Sequence, residues 1–133
     1  MFACAGKPPT NIGVNDGRLA PCPDTPNCVS SQSEGKNHAI APLEYSSDKS
    51  AARETLKQVI KGMAGARIVT DEDDYLHAEF KSRIFGFVDD VEFYFPEQSI
   101  IHVRSASRVG YSDLGVNRKR VEAIRQRFEA RRP

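Results

Sequence analysis

The chain has 133 residues, 39% of them hydrophobic and 28% charged, with a formal net charge of +1. One domain accommodates that length, because two cores of half the size would each bury too little surface to be stable. The composition excludes collagen, wholesale disorder and a coiled coil, and no apolar run approaches the roughly 20 residues that span a bilayer.

Residues 1–46 hold six of the eight prolines and the turn-forming runs Asn15-Asp16-Gly17, Pro23-Asp24 and Pro26-Asn27. Such a composition favours extended and turning backbone over helix. A structureless lead of that length is unusual in a compact domain, so something should pin it down. His38–Tyr45 is the best candidate there for a short strand, with Pro42 placing it at an edge or bulge.

From Ser47 to Met63 the pattern is helical. Ala52, Leu56, Val59, Ile60 and Met63 share one face, Ser47 or Asp48 can cap the start, and Gly62 with Gly65 marks the stop. Arg67–Thr70 predicts a short strand, and Asp71-Glu72-Asp73-Asp74 an acidic turn exposed to solvent. Period-two alternation then runs through Tyr75–Arg83, Val88–Phe95 and Ile100–Arg108, which predicts an antiparallel meander with one face buried. Asp89 shares parity with Val91; if drawn inward it needs a basic or hydrogen-bonding partner, and a structural salt bridge with an arginine is expected. A second helix follows, with Asn117 as its N-cap, Val116 as a staple onto Val121, and Val121, Ile124 and Phe128 as its apolar stripe. The predicted class is α+β: an antiparallel β-meander with two helices packed on one face and a long irregular N-terminal segment. Residues 1–11 are expected to form an N-terminal tether and residues 12–133 one globular domain.

Charge is segregated along this order. Residues 1–70 carry eight basic and six acidic side chains, residues 71–97 two and nine, and residues 98–133 nine and three. A basic C-terminal third could suit nucleic acid or an anionic membrane surface, but nine carboxylates within reach of it argue for neutralisation inside the fold, and no nucleic-acid partner is expected.

Cys22 and Cys28 stand on a proline-bearing loop, where a disulfide would close a small ring and hold the lead. Two free thiols are the alternative; a zinc site would need two further ligands, and His38, His77 and His102 lie on separate elements. Cys4, within Met1-Phe2-Ala3-Cys4-Ala5-Gly6, follows a small residue as at the processing point of a bacterial lipoprotein signal, without the charged and apolar stretches that precede such a point. The expectation is a lipidated Cys4 that anchors a periplasmic or otherwise extracytoplasmic domain to a membrane.

Two segments, Cys22-Pro23-Asp24-Thr25-Pro26-Asn27-Cys28-Val29-Ser30-Ser31 and the run from Arg104 to Arg120, together resemble the bacterial and plastid family called domain of unknown function 1499. Phe87-Val88-Asp89-Asp90-Val91-Glu92 is similar to its middle portion, and the resemblance spans roughly residues 12–128. It implies a single domain, often exported or membrane-associated, and supplies no reaction or catalytic residues.

Chemistry-bearing patterns are few. Ser105 and Ser107 share one strand face and His102 takes the other, which separates a nucleophile from its base, and no Gly-x-Ser-x-Gly elbow occurs. Asp89 and Asp90 point to opposite faces and cannot act as a facing pair. No phosphate-binding loop or dinucleotide fingerprint is present, so no cofactor, metal or catalytic residue is assigned. What remains is a candidate anion site. Arg104 and Arg108 share parity on the last strand, roughly 13 Å apart by strand rise. The following loop and helix start add Ser112, Asp113, Asn117 and Arg118, a plausible receptor for a carboxylate, a phosphate or an anionic glycan. Asp90, Glu92 or Asp113 could instead satisfy the arginines internally. The sequence therefore predicts a membrane-tethered binding or accessory domain of the cell envelope, whose partner is an envelope protein or an anionic small molecule. Two alternatives stand beside it: a hydrolase or transferase acting on an anionic envelope substrate through Arg104, Arg108 and Asp113, and a purely structural subunit of a membrane complex.

Overall fold

Asp48 stands just before the first helical residue and its carboxylate accepts the Ala51 N–H, so helix α1 spans Lys49–Lys61, inside the predicted window, and Gly62 closes it. The structure is a computed structural model and describes residues 8–82, 86–109 and 115–131. Four strands follow the predicted alternation closely: β5 (Ala66–Glu72), β6 (Tyr75–Lys81), β7 (Val88–Tyr94) and β8 (Ile100–Ser107). They form an antiparallel meander, and helix α2 (Val116–Arg131) comes after it. The acidic turn shrinks to Asp73-Asp74, since Asp71 and Glu72 pair with Leu76 and Tyr75.

The lead is less irregular than its composition implies. Strands β1 (Val14–Asn15) and β2 (Arg18–Leu19) form a hairpin whose turn residues, Asp16 and Gly17, both have positive φ. Strand β3 (Cys28–Ser30) pairs with β8 through Cys28–Ala106 and Ser30–Arg104, and β4 (Leu43–Glu44) continues along the same edge of β8 through Leu43–Ile101. The main sheet therefore runs β3-β8-β7-β6-β5, with β4 beside β8. Only Leu43 and Glu44 of the predicted His38–Tyr45 strand are extended in a ladder. Ala39 makes an isolated parallel bridge to Ser30, and Pro42 has no N–H to offer.

Alternation divides the sheet into two faces. Val29, Ala78, Phe80, Val91, Phe93, Ile101 and Val103 face α1 and α2 and pack with Leu56, Ile60, Val121, Ile124 and Phe128 into one core. Asp89 is on this face and meets Arg120 at 2.6 Å, the arginine partner its parity calls for. Arg120 also lies over the Phe80 ring. Ser105 is buried here too and donates to Asn117 Oδ1 at 2.5 Å.

Two expectations are corrected. Asn117 is not the cap of α2 but lies inside its first turn, fully buried, with its amide donating to Ser107 Oγ and the Asn27 carbonyl. A polar side chain that finds buried partners across the core gains more there than at a solvent-facing helix end. The sheet is also covered on both faces, because the lead lies over the one that alternation assigned to solvent.

Candidate functional site

The second face of the sheet carries the most concentrated polar chemistry among the described residues. Parity places His77 and Glu79 of β6, Asp90 and Glu92 of β7, and Arg104 of β8 side by side, with registers His77–Glu92, Glu79–Asp90 and Glu92–Arg104. On an exposed sheet these side chains would sit in water. Here Glu92 is 0% exposed, His77 3% and Arg104 4%.

Burial on this scale demands partners. Glu92 Oε2 accepts the Gly13 N–H and the Tyr75 hydroxyl, each at 2.6 Å, so the lead closes directly onto the sheet. His77 Nε2 donates to Asp90 Oδ1 at 2.7 Å. Arg108, just past the end of β8, spans Asp90 with two bonds (2.8 and 3.0 Å) and reaches Glu79 at 2.6 Å, where Arg67 arrives from the other side at 2.9 Å. Burial by itself would raise the Glu79 and Asp90 carboxyls. The hydrogen bonds from Arg108 and Arg67, and from His77 and Arg108, outweigh it and hold both below the usual carboxylate range. Burial and the neighbouring Glu92 together push the Tyr75 phenol upward, so it remains a donor.

Arg104 is the exception to this economy. Its Nη1 lies 3.5 Å from Glu92 Oε1, its Nη2 makes one long bond of 3.4 Å to the Pro21 carbonyl, and its Nε has no partner. Glu92 Oε1 and His77 Nδ1 are likewise buried without a hydrogen bond. Arg104, Arg108 and Asp90 line a cleft of about 450 Å³ whose other wall is the lead, including Pro9, Asn11, Pro21 and Cys22. The Cys22–Cys28 disulfide is formed and ties that wall to β3.

The predicted anion site is thus divided. Arg104 and Arg108 share a face, as their parity requires. Asn117 lies on the opposite face of the sheet, in the core. Arg118 turns to the Ala39 and Asn37 carbonyls at 2.9 and 3.3 Å. Ser112, Asp113 and the candidate lipidation residue Cys4 lie outside the described residues. Asp90 and Glu79 occupy the Arg108 fork. No group of three or more His, Cys, Asp or Glu side chains is placed to hold a metal ion among the described residues, and no helix there is long and apolar enough to cross a membrane.

Sequence reasoning named Asp90 and Glu92 as possible internal partners of the arginines and missed Tyr75, His77, Glu79 and Gly13 as parts of this layer. A signal existed: Glu92 faces Arg104 in register on adjacent strands, an arrangement that favours pairing, while Glu79 and Asp90 are like charges in register that require a shared cation. Ser31 was missed as well. Its hydroxyl accepts the Val103 N–H and lies 2.9 Å from His102 Nδ1, joining the lead to β8. Burial, followed by the nearby Arg18, keeps the His102 imidazole below its ordinary range.

Residues 18–128 match the model of the family described as protein of unknown function (DUF1499). The match covers most of the chain, which therefore belongs to that family. Among curated proteins, none matches it.

Proposed function

We propose that this DUF1499 domain is an extracytoplasmic, membrane-tethered binding or accessory domain of the cell envelope that holds an acidic group of its ligand or partner in the cleft beneath the lead. The observation that carries the reading is Arg104. A buried guanidinium with five donors and one long hydrogen bond is costly to leave so, and a carboxylate entering the cleft would complete it. Glu92 at its side limits that group to a single negative charge, which favours a carboxylate over a phosphate dianion. Arg108 takes no part in contacting the ligand, because Asp90 and Glu79 occupy its fork; it stiffens the floor beside Arg104.

The compartment is supported by the disulfide, since such bonds persist in oxidising environments. The tether is supported by the small residue ahead of Cys4 in the sequence. Binding is preferred to catalysis because His77 and Asp90, the natural acid–base pair of the layer, are buried against each other and Asp90 is further held by Arg108.

The test is a titration of ¹⁵N-labelled protein with acetate and with succinate, following the Arg104 Nε–H resonance. A saturable shift of that resonance, lost in Arg104→Lys, is expected. A shift confined to exposed arginines would overturn the site. The tether is checked separately by labelled palmitate: behind a lipoprotein leader in a host with that pathway, the label should enter the parent chain and not Cys4→Ala.

A further inference from the structure

We infer that the end of the sheet where β6 finishes is a docking surface for an anionic lipid membrane, engaged by Lys81, Lys119 and Arg127 around an apolar floor. The inference goes beyond the carboxylate cleft and requires no lipid on Cys4.

A second cleft of about 480 Å³ opens where the C-terminal end of β6, the segment after α1 and one side of α2 from Val116 to Arg127 meet. Lys81, Lys119 and Arg127 line it, all exposed, and none has a carboxylate partner among the described residues. Arg120 also lines it but is neutralised by Asp89. No acidic residue is part of the lining. The floor and rim are apolar: Phe80 and Met63 contribute, and Val116 stands 41% exposed at the helix start. Phe87, also 41% exposed, is carried to the same end by the hydrogen bond from the Ser82 N–H to its carbonyl.

Charge elsewhere reinforces the orientation. Glu72, Asp73, Asp74 and Glu97 are exposed at the opposite end, beside the β5–β6 and β7–β8 turns, since Tyr75 pairs with Tyr94 there. Seven residues of strand separate the two ends by roughly 23 Å. The molecule is therefore electrically polarised along its strands, and an anionic surface attracts the basic end while repelling the acidic one. Cations interleaved with exposed valine and phenylalanine fit the headgroup boundary, where charges meet phosphates and apolar side chains enter the acyl region. A soluble phosphate would use the cations and leave the apolar residues unexplained. Pro9 lines the carboxylate cleft with Ala106 and Arg108, at this same end of the sheet.

The test is flotation of the full chain with vesicles of phosphatidylglycerol in phosphatidylcholine, against phosphatidylcholine alone. Binding to the anionic vesicles only, weakening as salt rises, is expected. The triple variant Lys81→Gln, Lys119→Gln, Arg127→Gln should lower the partition coefficient roughly 100-fold, at about fivefold per basic residue near an anionic surface. Phe87→Ser with Val116→Ser should weaken binding further at high salt, where screening leaves the apolar contribution exposed. Cys4→Ala should bind as the parent does, and so should Asp73→Asn with Asp74→Asn at physiological salt, where the acidic end stands beyond the Debye length of about 8 Å. Circular dichroism confirms that each variant is folded. Equal binding to both vesicle types, a triple variant that binds like the parent, loss of binding in Cys4→Ala, or tighter binding to polyglutamate or duplex DNA than to vesicles would each overturn the assignment.

Discussion

Arg108→Ala separates a load-carrying ion network from an open anion site. The Arg108 side chain is 7% exposed and makes three hydrogen bonds to two carboxylates, one of which, on Asp90, is itself buried. Truncation leaves Asp90 with His77 alone and Glu79 with an Arg67 that is largely in solvent. Removing one member of a buried pair costs about 3–5 kcal/mol, and the adjacent cleft admits some water, so about 3 kcal/mol is expected. That is a large share of the stability of a domain this size. Arg108→Lys keeps the charge but cannot reproduce the two-pronged grip on Asp90, and should lose about 1–2 kcal/mol. Urea unfolding followed by far-ultraviolet circular dichroism measures both, with an unchanged slope expected. The acid dependence provides a second reading. Asp90 and Glu79 have depressed folded-state pKa values, so their contribution is fully present above the usual carboxylate pKa and disappears as pH falls through the lower, folded-state values. The gap between parent and Arg108→Ala should therefore narrow in strong acid. A loss below about 0.5 kcal/mol at neutral pH would refute the reasoning and return Arg108 to an open binding site.

Replacing Cys22 and Cys28 by serine together, or reducing their bond, should cost about 2 kcal/mol by the chain-entropy argument and speed amide exchange over residues 12–40; alkylation of both cysteines in folded, oxidised protein would contradict it. Asn117→Ala strands the Ser105 hydroxyl and the Asn27 carbonyl in the core, and a loss of about 2–3 kcal/mol in thermal or urea unfolding is expected. Gly65→Ala should be worse tolerated than any exposed substitution, because Gly65 has φ +78° and an added Cβ would run into the Lys81 carbonyl; yield and melting temperature report it.

Much of the fold was legible in the sequence because helix and strand periods repeat over seven or more residues. Helix α1 and strands β6, β7 and β8 all fall within a residue or two of their predicted limits. Strands β1, β2 and β3 were not legible. Two or three residues carry no period, and β3 exists because the edge of β8 offers unpaired backbone groups. The site failed for a related reason. Alternation separates polar from apolar positions but does not say whether water or another segment meets the polar ones. Glu92 is satisfied by Gly13, 79 residues earlier in the chain, and no local pattern encodes that contact. Asp89 was legible because its parity set it among apolar neighbours, where an ionised carboxylate has no alternative to a partner. Asn117 failed because good capping residues are also good core hydrogen-bonders, and only the position of Ser105 decides between the two roles.

The segregated charge of the sequence resolves into two separate physical uses. Four of the nine carboxylates in residues 71–97 (Glu79, Asp89, Asp90 and Glu92) face Arg104, Arg108 and Arg120 across the two sheet faces. These charges are buried or partly buried, short-ranged and weakly screened, and they act on stability and on the shape of the cleft. Of the five that remain, Asp71 is paired locally with Arg53 and Lys57; Glu72, Asp73, Asp74 and Glu97 lie at one end of the meander, and Lys81, Lys119 and Arg127 lie at the other. These are exposed and act through the long-range field, which salt suppresses over about a Debye length. Raising ionic strength should therefore weaken vesicle binding while leaving the urea midpoint nearly unchanged. Acid should act in the opposite order, reaching the buried Asp90 and the partly buried Glu79 and so lowering the midpoint. A net charge of +1 conceals both effects, because it sums charges that never meet.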